Sequence, residues 1–590
     1  MVPKFGAYPQ GANKTFFRVW APNAKAVDVV GEFSNWRKVE GTALAGRPDG
    51  FWEGQIDGLG ADDEYEFLIT KQDDETKRRL DPAARDTRHS SLSNWHNKSR
   101  IVDTRHDWTP FEAPPLDDLI IYQCHVGTFA GYRDDRIVPG VATIEDISYK
   151  LDYIRGLGFN AVELLPVQEF RADRSWGYNP AFYFALESAY ARPDQMRRFV
   201  DACHDKGLAV LFDVVFNHIS NDDSSFYHFD EAVGSDEDSY LSRHETPWGP
   251  APAFWKQPIK DFFLTNMAMY FQEYNGDGLR FDATRAMEAA AGWDADGWTF
   301  MQYLTWKGKE LFPGKYLIAE HVPDHDSIVH SAGFHATWLQ EACDLIRDAL
   351  NGHEPVGKIE RLLGNSFGPG RNYPYSWNTV KYLLGSHDQC GDLDGGRKGH
   401  RYFVQHFGGR GNWHARAKAR MAWVLNVAIQ GTPLLFMGNE CHMPGYWHDS
   451  ADSNGDHRFD WSIAGDWMGM GMRYLVEAAN RTRSAHAALR NGHLEVTHRD
   501  PAGVIAFKRW NEDGDVVLVV VNAGEATYTN YRYGVQAGQG GQWQQVLCSQ
   551  DAWFGGWDGA GNAFYEPWTQ RDGRIYINLP KWSVTLFRLL

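Results

Sequence analysis

The sequence predicts an α/β fold in which a (β/α)8 barrel lies between two all-β domains. Three observations lead to this prediction. The chain has 590 residues, which is too long for one simple hydrophobic core. In its middle part, eight short apolar segments alternate with amphipathic helix-like segments, as strands and helices do in a parallel barrel. At both ends, short β-branched runs are separated by Gly, Pro, Asn and Asp.

The first domain is predicted to be a β-sandwich over residues 1–105. Its strand candidates are short alternating or β-branched runs that end in turn-forming residues: FFRVWAP, AVDVVGEF, FWEGQI and DEYEFLIT. A proline-containing linker, FEAPPLDD, comes after them. Because the pattern changes at this linker, we expect the domain boundary there.

The barrel is predicted over residues 116–490, and its eight strand candidates are LIIYQCHVG, NAVELLPV, AVLFDVVFNH, LRFDA, YLIAEH, FHATW, KYLLGSHD and PLLFMGNE. An unadorned barrel of this kind takes about 250 residues. The domain should therefore carry insertions, one of them at about 219–260. Residues 491–590 return to short strands such as VVLVVVNAG and RIYINLP, which predict a C-terminal β-sandwich.

Composition and charge exclude several classes of protein. Hydrophobic residues make up 43% and charged residues 23% of the chain, as in ordinary soluble proteins, and no apolar run reaches transmembrane length. The N-terminus has no apolar core of a secretory signal, so we expect a cytoplasmic protein. The formal charge of −18 repels nucleic acids and anionic membranes, and we expect neither as a partner.

No cofactor or metal is predicted. The six cysteines are scattered singly, without CxxC pairs or zinc-ligand spacing, which indicates free thiols. The chain contains neither a dinucleotide fingerprint that opens a βαβ unit nor a Walker A motif. Aromatic residues make up 14% of the chain, and flat aromatic rings pack well against the C–H faces of sugars. This composition favours a carbohydrate ligand; we expect the protein to be a monomer.

Several predicted barrel strands end in polar residues, and barrel enzymes keep their active sites at this end of the strands. Acids from separate strands should therefore meet at the barrel mouth, together with basic residues. These polar strand ends are in the third strand (Asp213, His218), the fourth (Arg280, Asp282), the fifth (Glu320) and the seventh (His387, Asp388).

The types and spacing of these residues suggest a division of roles. Arg280 and Asp282 lie two residues apart in a strand, so both should face inward, and the cation favours the ionised carboxylate, which suits a nucleophile. Glu320 follows an apolar run; burial should raise its pKa and make it a general acid. Retaining glycoside cleavage uses such a pair about 5 Å apart. Asp388 would stabilise positive charge or hold sugar hydroxyls. A structural Arg–Asp ion pair remains the alternative.

Four segments, DVVFNH, GLRFDA, IAEH and GSHDQ, resemble the four signature regions of the α-amylase superfamily (glycoside hydrolase family 13), in the same order. The resemblance implies a (β/α)8 catalytic barrel. It implies that Asp282 is the nucleophile, Glu320 the acid/base and Asp388 the stabiliser of the transition state.

The resemblance also implies a set of substrate-binding residues. Those at signature positions that contact the central sugar, or that support its site, are His218, Arg280, His387 and Asp213. The segment SWGYNP resembles a loop whose tyrosine, here Tyr178, stacks under the same sugar. We assign Trp176 of this segment to the substrate as well.

The N-terminal segments VDVVGEFSNWRKVEG and FWEGQIDGLGADDEYEFLI resemble the glycogen-type carbohydrate-binding module that precedes the barrel in 1,4-α-glucan branching enzymes. This group cleaves an α-1,4 glucan and transfers the chain to a 6-hydroxyl. The implied partner is therefore an α-glucan such as amylose, glycogen or a maltooligosaccharide.

Two other functions remain open. Branching enzymes commonly have a second acid after the acid/base residue, whereas His321 follows Glu320 here, and HVPDHDSIVHSAGFHATW resembles the maltooligosyltrehalose trehalohydrolases. A hydrolase of the same fold, of the trehalohydrolase or α-amylase type, is thus one alternative. A non-catalytic glucan-binding protein is the other. The segment DATRAME lacks the Lys-His pair of calcium-dependent amylases, so no calcium site is assigned.

Overall fold

The computed structural model describes residues 2–590 except 88–97, 131–139, 222–225, 232–237, 290–295, 366–370, 393–398, 451–454, 558–561 and 563–564. A two-sheet β domain, a closed parallel barrel and a second β domain follow one another along the chain. The predicted fold class, a (β/α)8 barrel with a β domain on either side, is confirmed.

The N-terminal domain consists of two antiparallel sheets. Its strands β1 to β8 are Gly6–Pro9, Lys14–Trp20, Ala26–Gly31, Ala45–Gly46, Phe51–Asp57, Glu64–Thr70, Thr76–Arg79 and Ser99–Arg100. One sheet has the order β1-β2-β5-β4; in the other, β3, β6 and β7 are neighbours and β8 also pairs with β6. Phe17, Val29, Tyr65 and Phe67 are fully buried, so alternate residues of the strands form the core of this domain.

The barrel is closed by eight parallel strands in the order β10-β11-β14-β15-β16-β17-β18-β9. The remaining two strands of this part, β12 and β13, form an antiparallel hairpin within the predicted insertion. Strands β9 to β18 are Ile121–Cys124, Ala161–Leu164, Ala209–Val214, Leu241–Thr246, Gly249–Pro252, Gly278–Phe281, Tyr316–Ala319, Ala336–Trp338, Thr379–Lys381 and Thr432–Phe436.

Inward-facing apolar residues fill the barrel. Ile121, Leu211, Ile318, Val380 and Leu434 belong to one fully buried cluster, as expected for a barrel whose interior is a packed core.

The α-helices lie between the barrel strands and after them. Helices α1 to α15 are Val126–Phe129, Ile144–Ser148, Leu151–Gly156, Pro193–Asp205, Gln257–Ala268, Thr284–Ala289, Gly297–Leu311, Ser327–His330, Glu341–Leu350, Pro355–Leu363, His387–Cys390, Trp413–Ala428, Trp461–Gly465, Trp467–Ala485 and Ala487–Arg490. Within the part of the chain that the structure describes, no helix combines the length and apolar character needed to cross a membrane.

The seventh barrel strand differs from its prediction. The sequence pattern indicated a strand over KYLLGSHD (381–388), but β17 is Thr379–Lys381 and ends where the predicted segment begins. Residues His387–Cys390 form the short helix α11, because the Ser386 hydroxyl accepts a hydrogen bond from the backbone N–H of Asp388 and caps it. The polar residues of this segment therefore follow the strand and reach the barrel mouth.

The C-terminal domain packs its strands into a five-stranded sheet, β19-β20-β21-β25-β23, and a two-stranded sheet, β22-β24. Strands β19 to β25 are His493–Asp500, Val504–Trp510, Val516–Asn522, Tyr528–Gln536, Trp543–Cys548, Arg574–Leu579 and Ser583–Leu589.

Both β domains are bound to the barrel by buried or partly buried arginines. In the N-terminal domain, Arg85 is 3% exposed, and its Nε lies 2.7 Å from an oxygen of Glu273 in the barrel. In the C-terminal domain, Arg509 donates a hydrogen bond of 2.8 Å to the carbonyl of Ala428. Both β domains are therefore fixed to the barrel by contacts with segments that precede strands β14 and β18.

Candidate active site

Alternation along β14 directs Arg280 into the barrel. Leu279 and Phe281 are buried on the opposite side of the strand, where the Phe281 ring meets Phe216 at a centroid distance of 5.4 Å. Arg280 is completely buried, and its guanidinium lies 4.3 Å from the centre of the Trp338 ring. The strand period of two thus separates apolar residues that pack against helices from the polar pair that faces the site.

Three carboxylates contact this one guanidinium. Nη1 of Arg280 donates to both oxygens of Asp213, at 2.7 and 2.8 Å, and to Oδ1 of Asp282 at 3.0 Å. Nη2 lies 2.8 Å from Oε2 of Glu320. Residues from β11, from the end of β14 and from the end of β15 are thereby joined at one point.

Asp282 is held in place from two sides. Its Oδ1 contacts Arg280, and its Oδ2 accepts a hydrogen bond of 2.8 Å from the side-chain amide of Asn217. The next residue, Ala283, has a positive φ of 40°, which a non-glycine residue rarely adopts. This conformation aims the Ala283 N–H at Glu320, and the hydrogen bond to Oε2 is 2.9 Å long. The turn after β14 therefore orients both carboxylates.

Glu320 and Asp213 have raised pKa values because they are buried. Burial is the main cause that raises the pKa of Glu320 to about 8; the negative charges of Asp282 and Asp388 add to the rise, and Arg280 opposes it. Burial likewise raises the pKa of Asp213 to about 7, with Arg280 opposing and Asp282 adding to it. A carboxyl group such as Glu320 is protonated at neutral pH and can donate a proton.

Two aromatic rings border the cluster. The rings of Tyr178 and His387 are stacked with centroids 5.1 Å apart and planes 15° from parallel. The Tyr178 hydroxyl donates to Asp213 Oδ2 at 2.6 Å. His387 is buried, which lowers its pKa well below the usual value, so its imidazole is neutral. Trp176 lies behind His387, at a centroid distance of 6.1 Å, and is only 8% exposed.

His218 and Asp388 complete the set of candidates. His218 is buried, and its Nε2 lies 3.0 Å from the carbonyl oxygen of Tyr178. The side chain of Asp388 is 42% exposed, and one of its oxygens lies 3.3 Å from Nε2 of His387. Asp388 thus extends from α11 into the open part of the mouth, whereas Asp213 lies beneath it.

The structure adds contacts at the site that the sequence did not predict, and one acid, Glu163, that sequence reasoning missed. Asn217 binds Asp282, and Trp338 packs beneath Arg280. Glu163 is fully buried on β10, and burial raises its pKa to about 8; its Oε1 accepts from the side chain of Gln123 at 2.8 Å. Its one signal in the sequence is an acid in the middle of the apolar segment NAVELLPV.

Three family models match consecutive segments of the chain. Residues 4–84 match carbohydrate-binding module 48 (isoamylase N-terminal domain), residues 129–285 match the alpha amylase catalytic domain, and residues 496–589 match the alpha amylase C-terminal all-beta domain. The catalytic match includes Asp213, Arg280 and Asp282.

Curated relatives that match nearly the whole chain are named 1,4-alpha-glucan branching enzyme GlgB. The protein of Leifsonia xyli is 27% identical and the match covers 97% of this chain and 79% of that protein. The protein of Marinobacter nauticus is 26% identical, with 98% and 94% covered. The protein of Nitrosomonas europaea is 28% identical, with 97% and 80% covered.

Solved structures share the fold over the full chain. The catalytic module of the glycogen-degrading pneumococcal virulence factor SpuA has a TM-score of 0.76 at 18% identity, with 100% of this chain and 97% of that chain covered. A putative alpha amylase from Salmonella typhimurium has a TM-score of 0.72 at 18% identity, with 100% of each chain covered. The resemblance in architecture therefore extends over both β domains as well as the barrel.

Proposed function

This chain belongs to the α-amylase superfamily and is an enzyme that acts on α-glucans, and from this premise we propose that it is a 1,4-α-glucan branching enzyme. The observation that carries the proposal is the pair Asp282 and Glu320, which contact two nitrogens of one buried guanidinium and have different surroundings. The GlgB relatives that match the chain from end to end support the same activity.

The first half of the reaction cleaves an α-1,4 bond. Asp282 attacks the anomeric carbon of the donor glucan, while Glu320 gives its proton to the departing 4-oxygen. The hydrogen bonds from Arg280 and Asn217 hold the Asp282 oxygens in place. The nonreducing part of the chain is then joined to Asp282 as an ester.

The second half forms the branch. Glu320, now deprotonated, removes the proton from the 6-hydroxyl of a second glucan chain, and that oxygen attacks the anomeric carbon and displaces Asp282. Two inversions retain the α configuration, and the product is an α-1,6 linkage. Asp388 stabilises positive charge on the sugar ring, which its exposure to the open mouth permits.

The remaining candidates bind the central sugar in this proposal. His387 is neutral and can donate to a hydroxyl, and the partly buried ring of Tyr178 offers a face for stacking. His218, Trp176 and Asp213 form the wall and floor on which these two residues rest. No cofactor takes part in either step.

The proposal is tested by incubating the protein with unbranched amylose and analysing the linkages. We expect new α-1,6 linkages, measured as chain ends released by a debranching enzyme, without an equal rise in reducing ends. The Asp282→Asn variant is the control and should form none.

An alternative follows from His321, the residue that distinguishes this chain from the common branching-enzyme pattern. Reducing ends without α-1,6 linkages, or trehalose released from a trehalose-ended maltooligosaccharide, would contradict branching and identify a hydrolase. Binding of amylose without any change in its linkages would indicate a non-catalytic glucan-binding protein.

A further inference from the structure

Helix α14 exposes an apolar face on the outer wall of the barrel. Trp467, Met470 and Tyr474 are 63%, 37% and 43% exposed, and their spacing of three and seven residues puts them on the same side of the helix. Most other large apolar residues of this helix, such as Met472 and Leu475, are fully buried. An exposed apolar face of this kind marks a surface that binds a partner or ligand.

A third aromatic side chain extends this face. Trp553 lies in a short 3-10 turn, Ala552–Phe554, and is 75% exposed. Its ring centroid is 5.7 Å from that of Tyr474, and the two rings are 26° from parallel. We call Trp467, Met470, Tyr474 and Trp553 the α14 platform.

The platform is held rigidly despite its exposure. Phe554, next to Trp553, is 8% exposed, and the indole N–H of Trp413 donates to the carbonyl of Gly555 at 3.1 Å. Gly471 lies on α14 opposite this turn, where a Cβ would come within 3.1 Å of the Phe554 carbonyl oxygen. The missing side chain lets the turn approach the helix closely, which fixes Trp553 beside Tyr474.

A groove of about 410 Å³ adjoins Tyr474 and Met470, between α14 and the end of α3. Its lining includes two carboxylates and two guanidinium groups, from Asp152, Glu477, Arg473 and Arg481. Asp152 is paired with Lys206 at 2.6 Å, and Glu477 with Arg481 at 2.7 Å. This balance of charges suits a neutral ligand with many hydroxyl groups. The carboxylates can accept hydrogen bonds from these hydroxyl groups, and the guanidinium groups can donate hydrogen bonds to them.

We propose that the α14 platform and its groove bind a second α-glucan chain, outside the active site. Glucose rings would stack on Tyr474 and Trp553 while the groove contacts their hydroxyls. This inference rests on the glucan substrate of the proposed function and adds a holding site for the polymer. It shares no residue with the candidate active site, and the platform lies on a helix outside the ring of barrel strands.

The test uses the full chain with Asp282→Asn, so that bound glucan is not turned over, and measures its retardation during native electrophoresis in gels that contain amylose. We expect Trp553→Ala and Tyr474→Ala each to raise the dissociation constant for amylose about tenfold, which corresponds to about 1.4 kcal/mol. Trp553→Phe should retain most of the binding, since it keeps an aromatic face.

Trp306→Ala is the matched control, because Trp306 is also an exposed tryptophan, at 61%, on a barrel helix away from the platform. The Trp306→Ala variant should migrate like the Asp282→Asn protein from which it is made. Equal retardation of all variants would overturn the proposal. A change in sedimentation that shows Trp553 at a contact between two copies of the chain would also overturn the proposal, because the α14 platform would then bind protein. Because the assay measures binding alone, its outcome is independent of whether α-1,6 linkages are formed.

Discussion

Replacing Glu320 by glutamine should lower activity by orders of magnitude and at the same time stabilise the protein. The amide can still accept the hydrogen bond from the Ala283 N–H but has no acidic proton for the departing oxygen. General acid catalysis contributes about 10²–10⁴-fold to a rate, so we expect kcat to fall by that factor. The assay is formation of α-1,6 linkages in amylose, with folding verified by circular dichroism.

The gain in stability follows from the pKa of Glu320. Burial raises it from 4.5 to about 8, so the folded state binds more protons than the unfolded state between these pH values. Stability therefore falls as pH rises through this range. At pH 7 the buried carboxyl costs the wild type about 3 kcal/mol, and glutamine removes this cost. Since the side chain is only 15% exposed, solvent screens little of the effect.

Thermal unfolding measured from pH 4 to pH 8 checks this reasoning. The midpoint of Glu320→Gln should equal that of the wild type near pH 4 and exceed it by about 3–6 °C at pH 7. Glu512→Gln is the control, because that carboxylate is 91% exposed, and it should show no such divergence. A Glu320→Gln variant that keeps wild-type activity, or whose midpoint differs by the same amount at every pH, would refute the assignment of Glu320 as a buried acid.

Three further predictions concern the same mouth. The kcat/KM of the wild type should fall as pH rises above about 8, because Glu320 then loses the proton it donates; a pH–rate profile without this limb would contradict the acid role. Arg280→Lys should lower kcat at least about 100-fold, since one ammonium cannot replace a fork that contacts Asp213, Asp282 and Glu320; a kcat near that of the wild type would show that the fork is dispensable. Trp248→Ala should raise KM for amylose several-fold and leave kcat nearly unchanged, because this indole is 51% exposed and its ring lies 5.5 Å from the ring of His218. An unchanged KM would place Trp248 outside the cleft.

The fold was predictable because each barrel strand carries its own signal. Seven of the eight predicted segments contain most of a barrel strand, since strands buried on both faces read as short apolar runs. The seventh, Thr379–Lys381, was shifted because the apolar run YLL follows Lys381 and lies outside the strand. That lysine is buried and donates to the carbonyls of Leu362 and Gly364, at 3.1 and 2.8 Å, a long-range contact that no local pattern reveals.

Only part of the geometry of the site could be read from the sequence. Arg280 and Asp282 could be placed on one face from their spacing alone. The contacts that join them to Asn217 and Glu320 depend on the turn at Ala283, whose positive φ has no signature in the sequence. Glu163 was missed for a related reason: an acid inside an apolar strand becomes informative only when its neighbours across the barrel are known.

In the reaction proposed above, the charges of the cluster explain how one carboxyl would serve as both acid and base. Asp213, Asp282 and Glu320 share a single cation, Arg280, so a proton is retained among them, and the raised pKa of Glu320 makes it a fitting carrier. Part of that rise comes from the negative charge of Asp282. When Asp282 becomes an ester, this charge disappears while Arg280 remains, and the pKa of Glu320 must fall. The first step thus removes the repulsion that kept the proton on Glu320, and so prepares it to accept a proton from the incoming hydroxyl.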